Sequence, residues 1–259
     1  MVTLLEVENL KTQFFTSAGT VKAVDGISYT VDEGETVALV GESGCGKSTL
    51  GRALNRLEEP TEGTVLFEGK DLAHASGKEL FRLRRDIQMI FQDPYSSLNP
   101  RMTIGEIVRE PLLVHRVGNK AEQVEKVREL LEVVGLPGDT LGRYPHEFSG
   151  GQRQRVGLAR ALTLEPKLVI ADEPVSALDV SVQSQVLNLM VRLQRERNLT
   201  YVFISHDLSV VEYISDTIAI MYLGRIVEVG PVETIFERAA HPYTRALIEA
   251  IPVPDPTHG

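Results

Sequence analysis

The stretch G-E-S-G-C-G-K-S, residues 41–48, fits the pattern G-x-x-x-x-G-K-[ST]. It follows the apolar, β-branched run 36–40, which predicts a buried central strand, and a helix is expected to begin near Gly46 or Lys47. Glycines let successive backbone N–H groups turn onto phosphate oxygens, and the helix directs its positive end at the same anion. A solvated glycine-rich turn is the alternative, but it does not explain the flanking strand and helix. The stretch therefore predicts a phosphate cradle in which Lys47 reaches the phosphates and Ser48 binds Mg²⁺.

Composition limits the classes of protein that this chain can belong to. The sequence has 259 residues, 42% of them apolar, and a formal net charge of -9, which argues against broad electrostatic binding to nucleic acid. The single cysteine, Cys45, excludes an internal disulfide and a zinc cluster of several cysteines. Residues 1–6 reach a charge too early for a secretory segment, and no apolar run approaches the ~20 residues of a membrane helix.

Periodicity divides the chain into a β-rich start, a helical middle and a return to alternating strands and helices. Within the β-rich residues 4–40, the stretches 5–10 and 27–31 alternate at period two. Residues 103–136 have a helical pattern, with apolar residues at three- and four-residue steps between 124 and 134. Apolar runs at 168–171 and 201–204 flank another amphipathic helix, which is the βαβ unit of a parallel sheet. The predicted fold class is α/β, with an N-terminal antiparallel β subdomain and a helical lobe inserted over about 93–165.

An apolar strand at 168–171 ends in two acids, Asp172 and Glu173. The last carboxylates of a buried parallel strand lie at the edge of the sheet where ligands bind in α/β folds. Asp172 suits Mg²⁺, and Glu173 suits polarising an attacking water. The alternative is a solvated strand end before Pro174. Together with a phosphate cradle in the same chain, the pair indicates a site for nucleotide hydrolysis.

The stretch F-S-G-G-Q, residues 148–152, resembles the signature of ATP-binding cassette (ABC) ATPases, with Phe148 in place of the commoner leucine. By itself, Ser149 could simply cap a helix. The cradle, the acidic strand and this signature occur in the order that the family has them. The resemblance covers nearly the whole chain and implies a RecA-like P-loop core, ATP and Mg²⁺ as cofactors, and ATP hydrolysis.

Other motifs of that family can be placed individually. Gln92 resembles the Q-loop glutamine, Asp179 lies in a stretch that resembles the D-loop, and His206 resembles the switch histidine. Phe14 stands where the family keeps an aromatic that stacks on adenine, with Phe15 as the competing candidate.

The resemblance assigns a role to each site residue. Catalysis is implied for Glu173, His206, Lys47 and Gln92, and Mg²⁺ binding for Ser48, Gln92 and Asp172. Nucleotide contacts are implied for Phe14, Gly41, Ser43, Gly44, Cys45, Gly46, Lys47, Ser48, Thr49, Ser149, Gly151, Gln152 and Asp179. In the family, two cassettes meet head to tail, so the cradle of one faces the signature of the other. One copy of each motif implies a second ATPase subunit, identical or paralogous.

Three further stretches are similar to ATPases of oligopeptide and dipeptide importers. They are residues 91–101, 176–183, and 241–247 with the proline-rich 252–256. The implied division is a nucleotide-binding domain over 1–235 and a short C-terminal extension over 236–259. Nickel and other small-solute importers share much of this pattern and remain the alternative. A soluble ABC ATPase acting on nucleic acid is a second alternative, which the negative net charge of the chain disfavours.

An importer ATPase implies partners and a location. The expected partners are two membrane permease subunits and, indirectly, an extracytoplasmic solute-binding protein, with no nucleic acid. The expected location is peripheral, on the cytoplasmic face of the cell membrane. Leu98 and Met102 are expected to line the groove that receives a permease helix. Backbone donors around Cys45 are expected to favour its thiolate.

Overall fold

The computed structural model describes residues 2–17, 19–93 and 97–251. The strands are β1 (Thr3–Thr16), β2 (Gly19–Asp32), β3 (Thr36–Val40), β4 (Glu62–Phe67), β5 (Lys70–Asp71), β6 (Ile87–Ile90), β7 (Leu168–Asp172), β8 (Thr200–Ser205), β9 (Thr217–Tyr222) and β10 (Arg225–Pro231). The helices are α1 (Lys47–Leu54), α2 (Gly77–Asp86), α3 (Ile104–Val114), α4 (Lys120–Val133), α5 (Gly150–Leu162), α6 (Val180–Arg197), α7 (Leu208–Ile214), α8 (Val232–Arg238) and α9 (Pro242–Glu249). Short 3-10 turns lie at Gly138–Gly142 and Pro145–Glu147.

The central sheet has the strand order β10-β9-β3-β8-β7-β6. Its neighbours pair in parallel except for β10, which forms an antiparallel hairpin with β9. Every residue of β3, β7 and β8 is buried, as expected for strands covered on both faces. Because β3, β6, β7 and β8 run in the same direction, their carboxyl ends meet at one edge of the sheet. The chain segments that follow these four strands therefore lie close together.

A second, antiparallel sheet has the order β2-β1-β4-β5. The alternating pattern of β1 places Leu5 and Val7 in a buried cluster with Ile27 of β2. Leu50 and Leu54 of α1 belong to the same cluster, together with Leu39 of the central sheet. This shared core joins the two sheets around α1, and it confirms the predicted antiparallel subdomain.

The helices α3, α4 and α5 lie between β6 and β7 in the chain and form the predicted helical lobe. Thr103 opens α3 with a capping box to Glu106, and Asn119 opens α4 in the same way with Glu122. Buried apolar residues of the three helices share one core cluster, whose members include Ile107, Leu131 and Val156. Pro111 lies inside α3.

Leu98 does not line a surface groove, which corrects the expectation from the sequence. Its side chain is 1% exposed and belongs to the buried cluster of the lobe. Met102 is partly buried and packs against the same cluster. The backbone carbonyl of Ser97 accepts a hydrogen bond of 2.7 Å from Arg160 Nη1, which fixes the segment onto α5. For an apolar side chain beside the lobe core, burial is more favourable in free energy than exposure to water.

The last described residues pack on the face of the central sheet near β3. Val40 and Ile220 form a buried cluster with Ile235 of α8, and Leu247 and Ile251 pack against it. The predicted residues Pro94, Tyr95 and Ser96 of the Q-loop stretch lie outside the described residues, as does the stretch 252–256. Over the described ranges, no helix combines the length and apolar character that a membrane crossing requires.

Candidate nucleotide-binding site

Residues 41–46 join β3 to α1 in a loop that tolerates only glycine at two of its positions. Gly46 has φ +109°, and a Cβ atom there would lie 2.0 Å from the Ala23 carbonyl oxygen. A Cβ at Gly41 would lie 2.2 Å from the Met221 carbonyl oxygen. Neighbouring backbone therefore encloses the loop on two sides. The predicted start of the helix is confirmed, since α1 begins at Lys47.

Lys47 is only 4% exposed, and its ammonium group lies against the backbone at the start of this loop. Nζ donates to the carbonyl oxygens of Gly41 at 2.7 Å and Glu42 at 2.9 Å. These carbonyls hold the charge in place at the N-terminus of α1, where backbone N–H groups are free to face an anion. A phosphate bound at this loop would therefore interact with both a fixed ammonium group and the positive end of α1.

Ser48 and Asp172 present two oxygen atoms side by side. Ser48 Oγ donates a hydrogen bond of 2.9 Å to Asp172 Oδ1. Asp172 is 1% exposed, and burial raises its pKa, while the bond from Ser48 opposes that rise. A hard divalent cation prefers such oxygen ligands and would offset the lost hydration of the carboxylate. The pair therefore fits Mg²⁺.

Glu173, immediately after β7, is held by side chains that follow two other strands. Gln92, two residues beyond β6, donates from Nε2 to Glu173 Oε2 at 3.0 Å. His206, directly after β8, places Nδ1 3.1 Å from the same oxygen. Glu173 itself has φ 45°, and its N–H donates to the Ile204 carbonyl at 3.0 Å. A carboxylate fixed in this way can orient a water molecule and accept its proton.

Lys47, Ser48, Gln92 and Glu173 line a cleft of about 420 Å³, and Asp172 and His206 adjoin it through their contacts with Ser48 and Glu173. The predicted residues that line it are Ser43, Gly44, Cys45, Gly46, Lys47, Ser48, Thr49, Gln92 and Glu173. The structure thus gathers most of the predicted phosphate and metal ligands in one place. Their grouping follows from the parallel strand order.

The motifs missed five other residues that line the cleft. Val21, Lys22 and Ala23 of β2 form one wall, and Leu223 and Gly224 of the β9–β10 turn form another. Gly224 N–H donates to the Cys45 carbonyl at 2.9 Å, which attaches that turn to the cradle. Only the turn carried a sequence signal, because a glycine follows a strand there. The wall formed by β2 depends on how the antiparallel sheet packs, and no sequence motif indicates that packing.

Phe14 lies on β1, directly opposite Val21 of β2 in the strand pairing. It is 38% exposed and is not among the residues that line the cleft, although its cross-strand partner Val21 is. Phe15 is 76% exposed and pairs with Thr20. The contact of Phe14 with adenine stays a prediction.

The signature residues are not among the residues that line the cleft. Ser149 caps α5 by accepting from Gln152 N–H at 3.3 Å, and Gln152 Oε1 accepts from Ser149 N–H at 3.0 Å. Gly151 lets α5 approach α6, since a Cβ there would lie 2.2 Å from Val182 Cγ1. Asp179 caps α6 through Val182 N–H at 3.0 Å, and a hydrogen bond from Ser181 lowers the pKa of Asp179. The signature and the Asp179 turn are therefore neighbours, but neither lines this cleft.

Cys45 differs from the expectation that its surroundings favour the thiolate. The side chain is 6% exposed, and burial raises the pKa of its thiol. Lys47 and nearby backbone donors act in the opposite direction but are outweighed. The thiol packs against the loop: a Cβ at Gly41 would lie 2.8 Å from Cys45 Sγ. Removal from water destabilises the thiolate by more than Lys47 and the backbone donors stabilise it.

Two family models match the chain. Residues 24–176 match the model described as ABC transporter. Residues 227–259 match the model described as oligopeptide/dipeptide transporter, C-terminal region.

Relatives and solved structures agree with the family models. The chain is 56% identical over 257 residues to the oligopeptide transport ATP-binding protein OppF of Bacillus subtilis, covering 98% of this chain and 84% of that protein. It is 58% identical to the putative oligopeptide transport ATP-binding protein YkfD of the same organism, covering 98% of this chain and 78% of that protein.

Two solved cassettes share the fold. A dimeric, post-hydrolysis structure of the ATP-binding cassette MJ0796 bound to ADP and Pi has a TM-score of 0.81 and 29% identity, covering 88% of this chain and 99% of that one. The structure of cbiO1 from Clostridium perfringens has a TM-score of 0.80 and 31% identity, covering 92% and 93%. From the family model, the relatives and the cleft geometry together, this chain belongs to the ABC transporter family and is one of its P-loop ATPases.

Proposed function

We propose that this chain is the ATP-hydrolysing subunit of a membrane importer that takes up oligopeptides or dipeptides. The observation that carries the proposal is the match of residues 227–259 to the C-terminal region of oligopeptide/dipeptide transporters. The 56% identity to an oligopeptide transport ATP-binding protein, over nearly the whole chain, supports the same solute class.

In this proposal, ATP lies in the cleft with its phosphates on residues 41–49. Lys47 holds the phosphates, and Ser48 and Asp172 hold Mg²⁺ with Gln92 beside them. Mg²⁺ would neutralise charge on the phosphates. Glu173 orients the attacking water and takes its proton, while His206 and Gln92 keep the carboxylate in position. The shared contacts on Glu173 Oε2 support these assignments.

A second ATPase subunit completes the site. Ser149, Gly151, Gln152 and Asp179 do not line the cleft of their own chain, and in this proposal they would meet the nucleotide held by the partner. The dimeric state of the solved cassette MJ0796 supports this arrangement. The partner is identical or paralogous.

The chain would act from the cytoplasmic face of the membrane, bound to two permease subunits that receive solute from an extracytoplasmic binding protein. Residues 1–235 would form the nucleotide-binding domain, and 236–259 the short extension. The helical lobe, which Gln92 adjoins in the chain, would carry movement from the nucleotide to the permeases.

Peptide uptake tests the proposal. Cells that lack this chain would be complemented with the parent protein or with Glu173→Gln, and uptake of a labelled tripeptide and of nickel would be measured in parallel. We expect the parent to restore peptide uptake and Glu173→Gln to restore none. Restored nickel uptake without peptide uptake would reassign the solute. Purification with nucleic acid and without permease subunits would contradict an importer altogether.

A further inference from the structure

The helix α9 reaches the phosphate cradle, although its sequence carries none of the nucleotide-binding motifs. Tyr243 Oη accepts a hydrogen bond of 3.2 Å from the backbone N–H of Glu42. The two residues are 201 positions apart in the chain. Glu42 follows Gly41 at the start of the cradle, so the contact ties the C-terminal extension to the phosphate-binding loop.

The other side of the Glu42 backbone is tied to the phosphate-binding lysine. The Glu42 carbonyl accepts a hydrogen bond of 2.9 Å from Lys47 Nζ. Tyr243 thus holds the N–H of the residue whose carbonyl positions the ammonium. A displacement of Glu42 would move one of the two carbonyls that orient Lys47.

The segment before α9 is itself firmly attached. Glu228 of β10 accepts hydrogen bonds from Ala240 N–H at 2.7 Å and His241 N–H at 3.1 Å. His241 Nδ1 then caps α9 by accepting from Tyr243 N–H at 3.2 Å. Arg245 Nη2 donates to the Ala240 carbonyl at 2.8 Å. These bonds fix the point from which the Tyr243 ring extends.

The Tyr243 ring also touches the second wall of the cleft. It packs on Tyr222 with ring centroids 4.4 Å apart at an interplanar angle of 43°. Tyr222 ends β9 directly before Leu223 and Gly224, which line the cleft. One side chain therefore supports both the start of the cradle and the turn beside it.

We propose that Tyr243 is a positioning residue for nucleotide binding, which makes the C-terminal extension a brace for the phosphate cradle. The inference rests on the proposed binding of ATP to residues 41–49. Tyr243 contacts no reacting group in the proposed reaction, so it acts through Glu42 and Lys47. Its hydroxyl sets the affinity for the phosphates and leaves the chemical step unchanged.

The test compares Tyr243→Phe with Tyr222→Phe in the full chain. Each variant loses one hydroxyl from the same ring pair, and among the described residues the Tyr222 hydroxyl makes no hydrogen bond. We expect Tyr243→Phe to raise the Kd for Mg-ATP, and the KM for ATP, by about three- to tenfold with kcat retained. Tyr222→Phe should keep the parent Kd.

Cys45 supplies a readout that needs no nucleotide. It is the single cysteine of the chain and lies buried in the cradle. We expect N-ethylmaleimide to label Cys45 faster in Tyr243→Phe than in the parent, because the loop is less firmly held. An unchanged Kd in Tyr243→Phe, or an equal rise in Tyr222→Phe, would overturn the inference. A parent protein that fails to bind Mg-ATP would instead contradict the proposed function.

Discussion

Ser48 and Asp172 are 124 residues apart in the chain, and the Ser48 hydroxyl donates a hydrogen bond of 2.9 Å to the Asp172 carboxylate. Ser48 belongs to α1 after β3, and Asp172 is the last residue of β7. Because β3, β8 and β7 are adjacent parallel strands, both residues reach the same edge of the sheet. This pairing places a hydroxyl and a buried carboxylate where a nucleotide-bound cation would lie.

Ser48→Ala should weaken the response of ATP hydrolysis to Mg²⁺. The change removes one proposed ligand and the hydrogen bond that orients the other. We expect the Mg²⁺ concentration for half-maximal ATPase activity to rise by on the order of tenfold. Ser48→Thr is the matched control, because it keeps the hydroxyl. A Mg²⁺ titration of Ser48→Ala that superimposes on that of the parent would exclude Ser48 as a ligand.

Glu173→Gln should stop hydrolysis and leave ATP binding intact. The amide keeps the size of the side chain that contacts Gln92 and His206, but it cannot take a proton from water. We expect kcat to fall by at least about 100-fold. Light scattering with Mg-ATP should then detect a stable dimer. The exposed Glu129→Gln serves as control, and hydrolysis by Glu173→Gln near the parent rate would remove Glu173 from this role.

Gly46→Ala and Gly44→Ala should differ sharply. Both positions have positive φ, +109° and +79°, but a Cβ at Gly44 meets nothing within 4 Å, whereas one at Gly46 would overlap the Ala23 carbonyl. We expect Gly44→Ala to cost about 1 kcal/mol of unfolding free energy. Gly46→Ala should cost about 3 kcal/mol or more and abolish ATP binding. Urea unfolding and Mg-ATP titration measure both effects, and equal losses in the two variants would contradict the steric explanation.

Labelling of Cys45 should be slow at neutral pH and increase with pH. Burial raises the pKa of the thiol, and the thiolate is the nucleophile, so the reactive fraction at pH 7 is below that of an ordinary cysteine. We expect N-ethylmaleimide to react more slowly with the folded protein at pH 7 than with the urea-unfolded chain, and Mg-ATP to slow it further. Labelling rates that are unaffected by nucleotide would place Cys45 outside the binding site.

Leu98→Ala should destabilise the helical lobe and not act selectively on transport. The side chain is almost fully buried in the lobe core, and removing it leaves a cavity. We expect a loss of about 2–5 kcal/mol in the free energy of unfolding. Chemical unfolding measures this directly, with the partly buried Met102→Ala as comparison. A Leu98→Ala variant with the stability of the parent and reduced peptide uptake would return Leu98 to the coupling surface.

Much of the fold could be predicted because its signals are local. The glycine spacing of residues 41–48, the buried run of β3 and the helix start at Lys47 are consequences of backbone geometry within about ten residues. The capping of α5 by Ser149 and the acidic end of β7 are local in the same sense. Such patterns predicted the cradle, the strand ends and the helical lobe, since each element carries its own periodicity.

Contacts across the sheet could not be obtained in this way. Gln92 and Glu173 are 81 residues apart, and their hydrogen bond depends on the pairing of β6 with β7. The burial of Leu98 depends on which neighbours the lobe provides. An apolar residue in a loop sequence is compatible with a buried position in the core and with an exposed position in a groove.

The sequence by itself determined that this chain has a phosphate cradle, an acidic strand end and a signature helix. Tertiary structure alone decided that Gln92 and His206 share one oxygen of Glu173, that β2 and the β9–β10 turn enclose the cleft, and that Tyr243 reaches Glu42. The physical reason is that hydrogen-bond geometry and steric fit within a segment are encoded in neighbouring residues. Distant side chains meet only when strand order, register and core packing bring them within bonding distance.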